Sequence, residues 1–203
     1  MKKLIALTIA MLLMLPAAAL AFDTEELLRT ENCTVFENPG TLDTVVRPMN
    51  QPFMGEMDDG TLAVFIDYVE KIDLDVTLVR VMVSMMIYEP AQAEEVTFTV
   101  GGKAYTFTAD CRQSEYDGVY MDDYTFCLTD ESLPFLKALA QQKKDDPITV
   151  CFSSGGEQMM TGRVVIPGDD AAWIYDRYID LGGKKQSLKE LDGIWPCKIE
   201  KVK

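Results

Sequence analysis

The chain has 203 residues, with 19 Lys+Arg against 33 Asp+Glu, five Cys and no His, for a formal charge of −14. Without histidine it can build no Ser-His-Asp triad, Cys-His dyad, HExxH zinc helix or axial haem histidine. The acidic balance disfavours nucleic acid and anionic lipid, both of which are recognised by Lys and Arg, while a hydrophobic share of 48% is too high for a disordered chain.

Residues 1–21 read as a secretory signal peptide. Lys2 and Lys3 form a positive start, and Leu4–Leu15 is an apolar run interrupted only by Thr8. That run is roughly 12 residues long, within the range of a signal core and too short to span a bilayer. Pro16 breaks it, and Ala19-Leu20-Ala21 places small residues at the cleavage positions, so cleavage is expected before Phe22, or alternatively after Ala19. Loss of Lys2 and Lys3 takes the charge from −14 to −16. The sequence contains no lipid-accepting Cys near the cleavage site and no later run long enough for a membrane helix. The expectation is an exported protein without membrane insertion after cleavage, periplasmic in preference to extracellular.

Beyond the signal, Asp23–Glu31 suggests a short helix, and residues 32–60 suggest an irregular arm punctuated by Asn38-Pro39-Gly40, Gln51-Pro52 and Asp59-Gly60. The expected layout is residues 1–21 as signal, 22–60 as helix and arm, and 61–203 as a single domain.

From Leu62 the apolar period becomes two. Leu62, Val64, Ile66 and Tyr68 share a side, and 76–88 reads as a core strand with apolar residues on both faces. Glu95–Val100 and Lys103–Thr108 flank Gly101-Gly102, a hairpin signature. Tyr120–Leu128 is a further strand, and Ile148–Ser153 with Met159–Ile166 forms a second hairpin around Ser154-Gly155-Gly156. Helical spacing predicts helices at about 131–143 and 170–181, the second ending at Gly182-Gly183, with a short helix over 187–191 and a tail after it. The predicted class is α+β: a mainly antiparallel sheet built from hairpins, with two helices against it.

Export favours disulfides. Cys111 with Cys127, flanking an acidic loop at 113–123, and Cys33 with Cys197 are the candidate pairs; Cys151 is left over. No CxxC spacing occurs. Glu115, Asp117, Asp122 and Asp123 in that loop are the candidate binding residues, with Ca²⁺ as the cation such a carboxylate density would take, although EF-hand spacing is absent. Met54xxMet57, Met82xxMet85-Met86 and Met159-Met160 have the look of thioether pairs for a soft metal. On a strand, however, Met82 and Met85 point to opposite faces.

No motif carries a family resemblance, and no catalytic residue is assigned. The leading reading is a non-catalytic exported domain binding a protein or envelope component, with no cofactor. The alternatives are a carboxylate-based hydrolase of glycan or peptide, with or without Ca²⁺, and a Met/Cys metal-handling protein.

Overall fold

Alternation of apolar side chains at every second position generates the architecture. The computed structural model, which describes residues 33–37, 44–71, 76–143 and 146–180, holds eleven strands, the longer core strands built on that alternation. They are β1 (Cys33–Glu37), β2 (Thr44–Pro48), β3 (Phe53–Met57), β4 (Gly60–Lys71), β5 (Val76–Ile87), β6 (Glu95–Val100), β7 (Lys103–Thr108), β8 (Asp110–Tyr116), β9 (Val119–Leu128), β10 (Ile148–Ser154) and β11 (Glu157–Val164). Helix α1 (Leu133–Gln141) follows a 3-10 turn at Asp130–Ser132, and α2 (Gly168–Asp180) ends the described chain.

All eleven strands join one sheet, in the order β7-β6-β10-β11-β3-β4-β5-β9-β8, with β2 also on β4 and β1 on β2. Every pairing is antiparallel. The sheet curls into a half-barrel. Its two end strands, β7 and β8, are consecutive in the chain and meet at the buried Ala109.

One face is the core. Val64, Ile66 and Tyr68 of β4, Val81, Val83 and Met85 of β5, and Phe98, Tyr124, Val150 and Phe152 from neighbouring strands are fully buried there. Helix α1 inserts Phe135 among Phe98, Tyr105 and Phe107, with ring centroids 5.2–5.5 Å apart. Each such aromatic pair contributes about 0.5–1.5 kcal/mol beyond its buried area. Helix α2 closes the other end: the Tyr68 hydroxyl donates to the Ile174 carbonyl, and the Tyr68 ring meets Trp173 edge-on at 5.8 Å.

Two sequence expectations are corrected by this arrangement. The molecule is more β-rich than an α+β fold, with 60% of the described residues in strands and 18% in helices. The arm expected to be irregular holds β1, β2 and β3, and β3 lies inside the sheet between β4 and β11, so no structural boundary falls at residue 60. These three strands are five residues each, and β3 pairs on one edge with the distant β11, so local alternation carries little of their signal. Strand β5 lies within the sheet as expected, but its outer face is not covered throughout; Met86 there is 53% exposed.

The predicted hairpin at Gly101-Gly102 forms, with φ of 57° and 81° at the two glycines, a region that costs other residues steric strain. The expected helices at 131–143 and 170–181 correspond to α1 and α2. The signal segment, the expected helix over Asp23–Glu31, the Gly182-Gly183 terminus, the helix over 187–191 and Cys197 lie outside the described residues.

Candidate binding site

The acidic segment is a hairpin where a loop was expected. Strands β8 and β9 are joined by a two-residue turn, Asp117-Gly118, with φ of 52° and 77°. Glu115 is exposed on β8 and Asp117 stands at the turn. Asp122 and Asp123 are neighbours on β9, so their side chains leave opposite faces of the sheet. Asp123 accepts from the Ser84 hydroxyl at 2.5 Å on the outer face. Asp122 is buried on the inner face, where it accepts from the Ala91 N–H at 3.1 Å, the Gln113 side-chain amide at 2.8 Å and the Tyr124 hydroxyl at 3.3 Å. The Tyr124 oxygen in turn accepts from the Ala93 N–H at 3.1 Å. These bonds pin the β5–β6 connection to the inside of the sheet, a structural task. The four candidate acids therefore do not converge on one point. Among the described residues no cluster of three or more His, Cys, Asp or Glu is placed to hold a metal ion.

Register also separates the cysteines expected to bridge. Cys111 stands opposite Tyr124, whereas Cys127 stands opposite Arg80 on the other side of β9. Tyr124 and Cys127 are an odd number of residues apart, so the sheet lies between the two sulfurs. The Cys111–Cys127 pairing is thus not formed, and Cys33 is buried opposite Pro48 on β1. Cys111 is exposed. Partial burial is the main influence raising its thiol above the ordinary cysteine value, with Asp122 and Asp123 adding to the rise and a hydrogen bond to Tyr124 opposing it. At neutral pH it is held as the poorly nucleophilic thiol.

A buried ion cluster lies on the outer face. Asp67, fully buried, accepts from Arg47 at 2.9 Å and from its cross-strand partner Arg80 at 2.5 Å through the same oxygen. The Arg47 guanidinium also sits 4.8 Å above the Phe36 ring and 5.3 Å above that of Phe65.

The methionines are distributed most informatively. Met54, Met86 and Met121 are 61%, 53% and 43% exposed, respectively, all on the outer face. Met86 and Met121 are direct cross-strand partners, and Met54 stands opposite Ala63. The half-buried Phe65 and Met82, themselves partners, form a further apolar row on this face, with the Ser84–Asp123 pair between it and Met86–Met121. Thioether side chains are flexible and polarizable, and fit surfaces of varied shape.

A second group of methionines borders a cavity at the end of the sheet where the β3–β4 turn meets the β10–β11 hairpin. Its volume is about 230 Å³, and Met57, Met159, Met160, Asp58, Asp59 and Ile87 are among its walls. A second cavity of about 400 Å³ adjoins it, sharing Met57, Asp58 and Thr161 and adding Glu56 and Arg163. Two local features shape the site. The register of β10 against β11 shifts between Phe152, opposite Met160, and Ser153, opposite Gln158. Met159 is therefore an extra residue in a β-bulge, a device that re-aims side chains, and both adjacent methionines reach the cavity. Gly162 stands opposite Met57, and a Cβ there would lie 2.9 Å from Met57 Cγ. The sequence marked these methionines only as separate pairs; their convergence depends on a bulge that no local spacing reveals.

Comparison with family models, curated proteins and solved structures finds no match to this chain.

Proposed function

We propose that this is an exported, non-catalytic binding domain that docks a protein or envelope component on the outer face of its sheet. The observation that supports it most directly is the exposed cross-strand pair Met86–Met121, with exposed Met54 and half-buried Met82 and Phe65 on the same face. Exposed large apolar side chains grouped on a face are a signature of interaction surfaces, and methionine suits them by its adaptability. The rigid sheet beneath keeps the entropy cost of ordering the surface small. The signal-like segment at residues 1–21 supports export, with the periplasm as the preferred compartment.

The test is capture from the native cell envelope with the wild-type chain and with Met86→Glu/Met121→Glu. Both positions are solvent-exposed, so the double variant should keep its fold. The reading expects a discrete partner retained by wild type and lost by the variant. Identical captures, or none above background with either chain, overturn it.

A further inference from the structure

We infer that the cavity between the β3–β4 turn and the β10–β11 hairpin is a soft-cation site, in which the thioethers of Met57, Met159 and Met160 bind monovalent copper or silver. The inference stands apart from the outer-face docking reading and uses different methionines.

Three observations support it. First, two segments about a hundred positions apart in the chain place Met57, Met159 and Met160 in the walls of one cavity of about 230 Å³. Second, the placement is built. On a regular strand Met159 and Met160 would face opposite ways, but the bulge at Met159 brings both to the cavity. On the same strand Gly162, opposite Met57 and without a Cβ, leaves room for Leu62 and Met57. Third, the donor set is selective. Thioethers are soft ligands and prefer Cu(I) to hard cations, whereas Ca²⁺ requires six to eight oxygens. The carboxylates of Asp58 and Asp59 border the same space. They supply a negative field that draws in a cation and balances its charge in a site whose sulfur ligands are neutral.

The test is a competition titration of the full-length chain with Ag(I), and with Cu(I) under reducing conditions. Cys111→Ser/Cys151→Ser/Cys197→Ser is the background throughout, so that these thiols do not compete. Against it, Met57→Leu/Met159→Leu/Met160→Leu is compared with Met54→Leu/Met86→Leu/Met121→Leu. Leucine conserves volume and is usually tolerated in place of methionine. The cavity triple variant should weaken Ag(I) and Cu(I) binding by more than the ~100-fold that loss of an outer-shell partner alone produces. The outer-face triple variant should bind as the background does. X-ray absorption of the Cu(I) form should show a sulfur-dominated shell that the cavity variant lacks. Should the triple variant fail to fold, Met159→Leu alone, at a position 46% exposed, should still weaken binding measurably. Equal affinity in the cavity variant and the background, or equal loss in both triple variants, overturns the proposal.

Discussion

The Gln51 side chain completes the backbone ladder at Ile66. Its carboxamide donates to the Ile66 carbonyl at 2.7 Å and accepts from the Ile66 N–H at 3.1 Å, as a neighbouring strand would. The need arises because two short strands share one edge of β4. Strand β2 pairs with Tyr68–Glu70 and β3 with Gly60–Val64, which leaves Ile66 between them without a backbone partner from either register. Ile66 is fully buried, so an unmet amide there would carry its full desolvation penalty.

Gln51→Ala should therefore destabilise the protein by about 1–3 kcal/mol, the range for a buried polar group left unsatisfied. Gln51→Glu keeps the acceptor but sets a carboxylate oxygen against the Ile66 carbonyl, and should cost at least as much. Urea denaturation with an unchanged m-value checks both; a wild-type midpoint for Gln51→Ala would refute the ladder role.

How much of this was legible beforehand depended on where each residue's partner lay. The Gly101-Gly102 hairpin and the inner face of β5 were readable because strand period and turn chemistry are local. Asp117-Gly118 carries the same kind of turn signal, yet β8 went unread: its side chains, Cys111 to Tyr116, are all exposed and show no apolar alternation. Strands β1 to β3 were hidden for a different reason. They are five residues each, and part of their pairing is with strands further along the chain, β2 with β4 and β3 with β11. Parity alone predicted that Met82 and Met85 part company, and Met85 is indeed buried while Met82 lies on the outer face. The same parity rule, applied without knowledge of the bulge, would have separated Met159 from Met160.

Asp67 neutralises two guanidinium groups whose side chains are 21% and 18% exposed. Removing the carboxylate leaves two like charges side by side, each without its counter-ion. Asp67→Ala should destabilise by about 3–5 kcal/mol, the cost of breaking a buried pair from one side. Asp67→Asn, which retains an acceptor, should cost less. Chemical denaturation of the two variants gives the order, and an equal or reversed order would contradict the electrostatic account.

Alkaline pH should weaken the fold through two tyrosines. Burial is the main cause that holds the Tyr68 and Tyr124 hydroxyls above the ordinary value of 10.0. The folded chain thus retains phenolic protons that the unfolded chain releases first. Stability from this source is fully present below about pH 10 and falls as pH rises beyond it. Tyr68→Phe and Tyr124→Phe should each lower stability at neutral pH, because a buried partner loses its hydrogen bond, yet flatten the decline above pH 10. Thermal melts across pH 7–12 supply the comparison; an unchanged alkaline slope in both variants would count against it.

Two glycines should differ in what they tolerate. A Cβ on Gly55 would overlap the Arg163 carbonyl oxygen, which is backbone, whereas one on Gly162 meets the side chains of Leu62 and Met57. Side-chain ends shift more cheaply than a strand. Gly162→Ala should cost about 1–3 kcal/mol, as overpacking does, and Gly55→Ala more. Gly162→Ala should also displace Met57, visible as a change in its methyl resonance. Greater tolerance at Gly55 than at Gly162 would contradict the packing described.

Docking of a partner on the outer methionine face is open to site-specific photo-crosslinking in intact cells. A benzophenone side chain replaces Met86 or Met121 in one set and the exposed Glu157, at the start of β11, in another. The docking account predicts one discrete adduct of common mass from both methionine positions and none from Glu157. No adduct at Met86 or Met121, or the same adducts from all three positions, would contradict it.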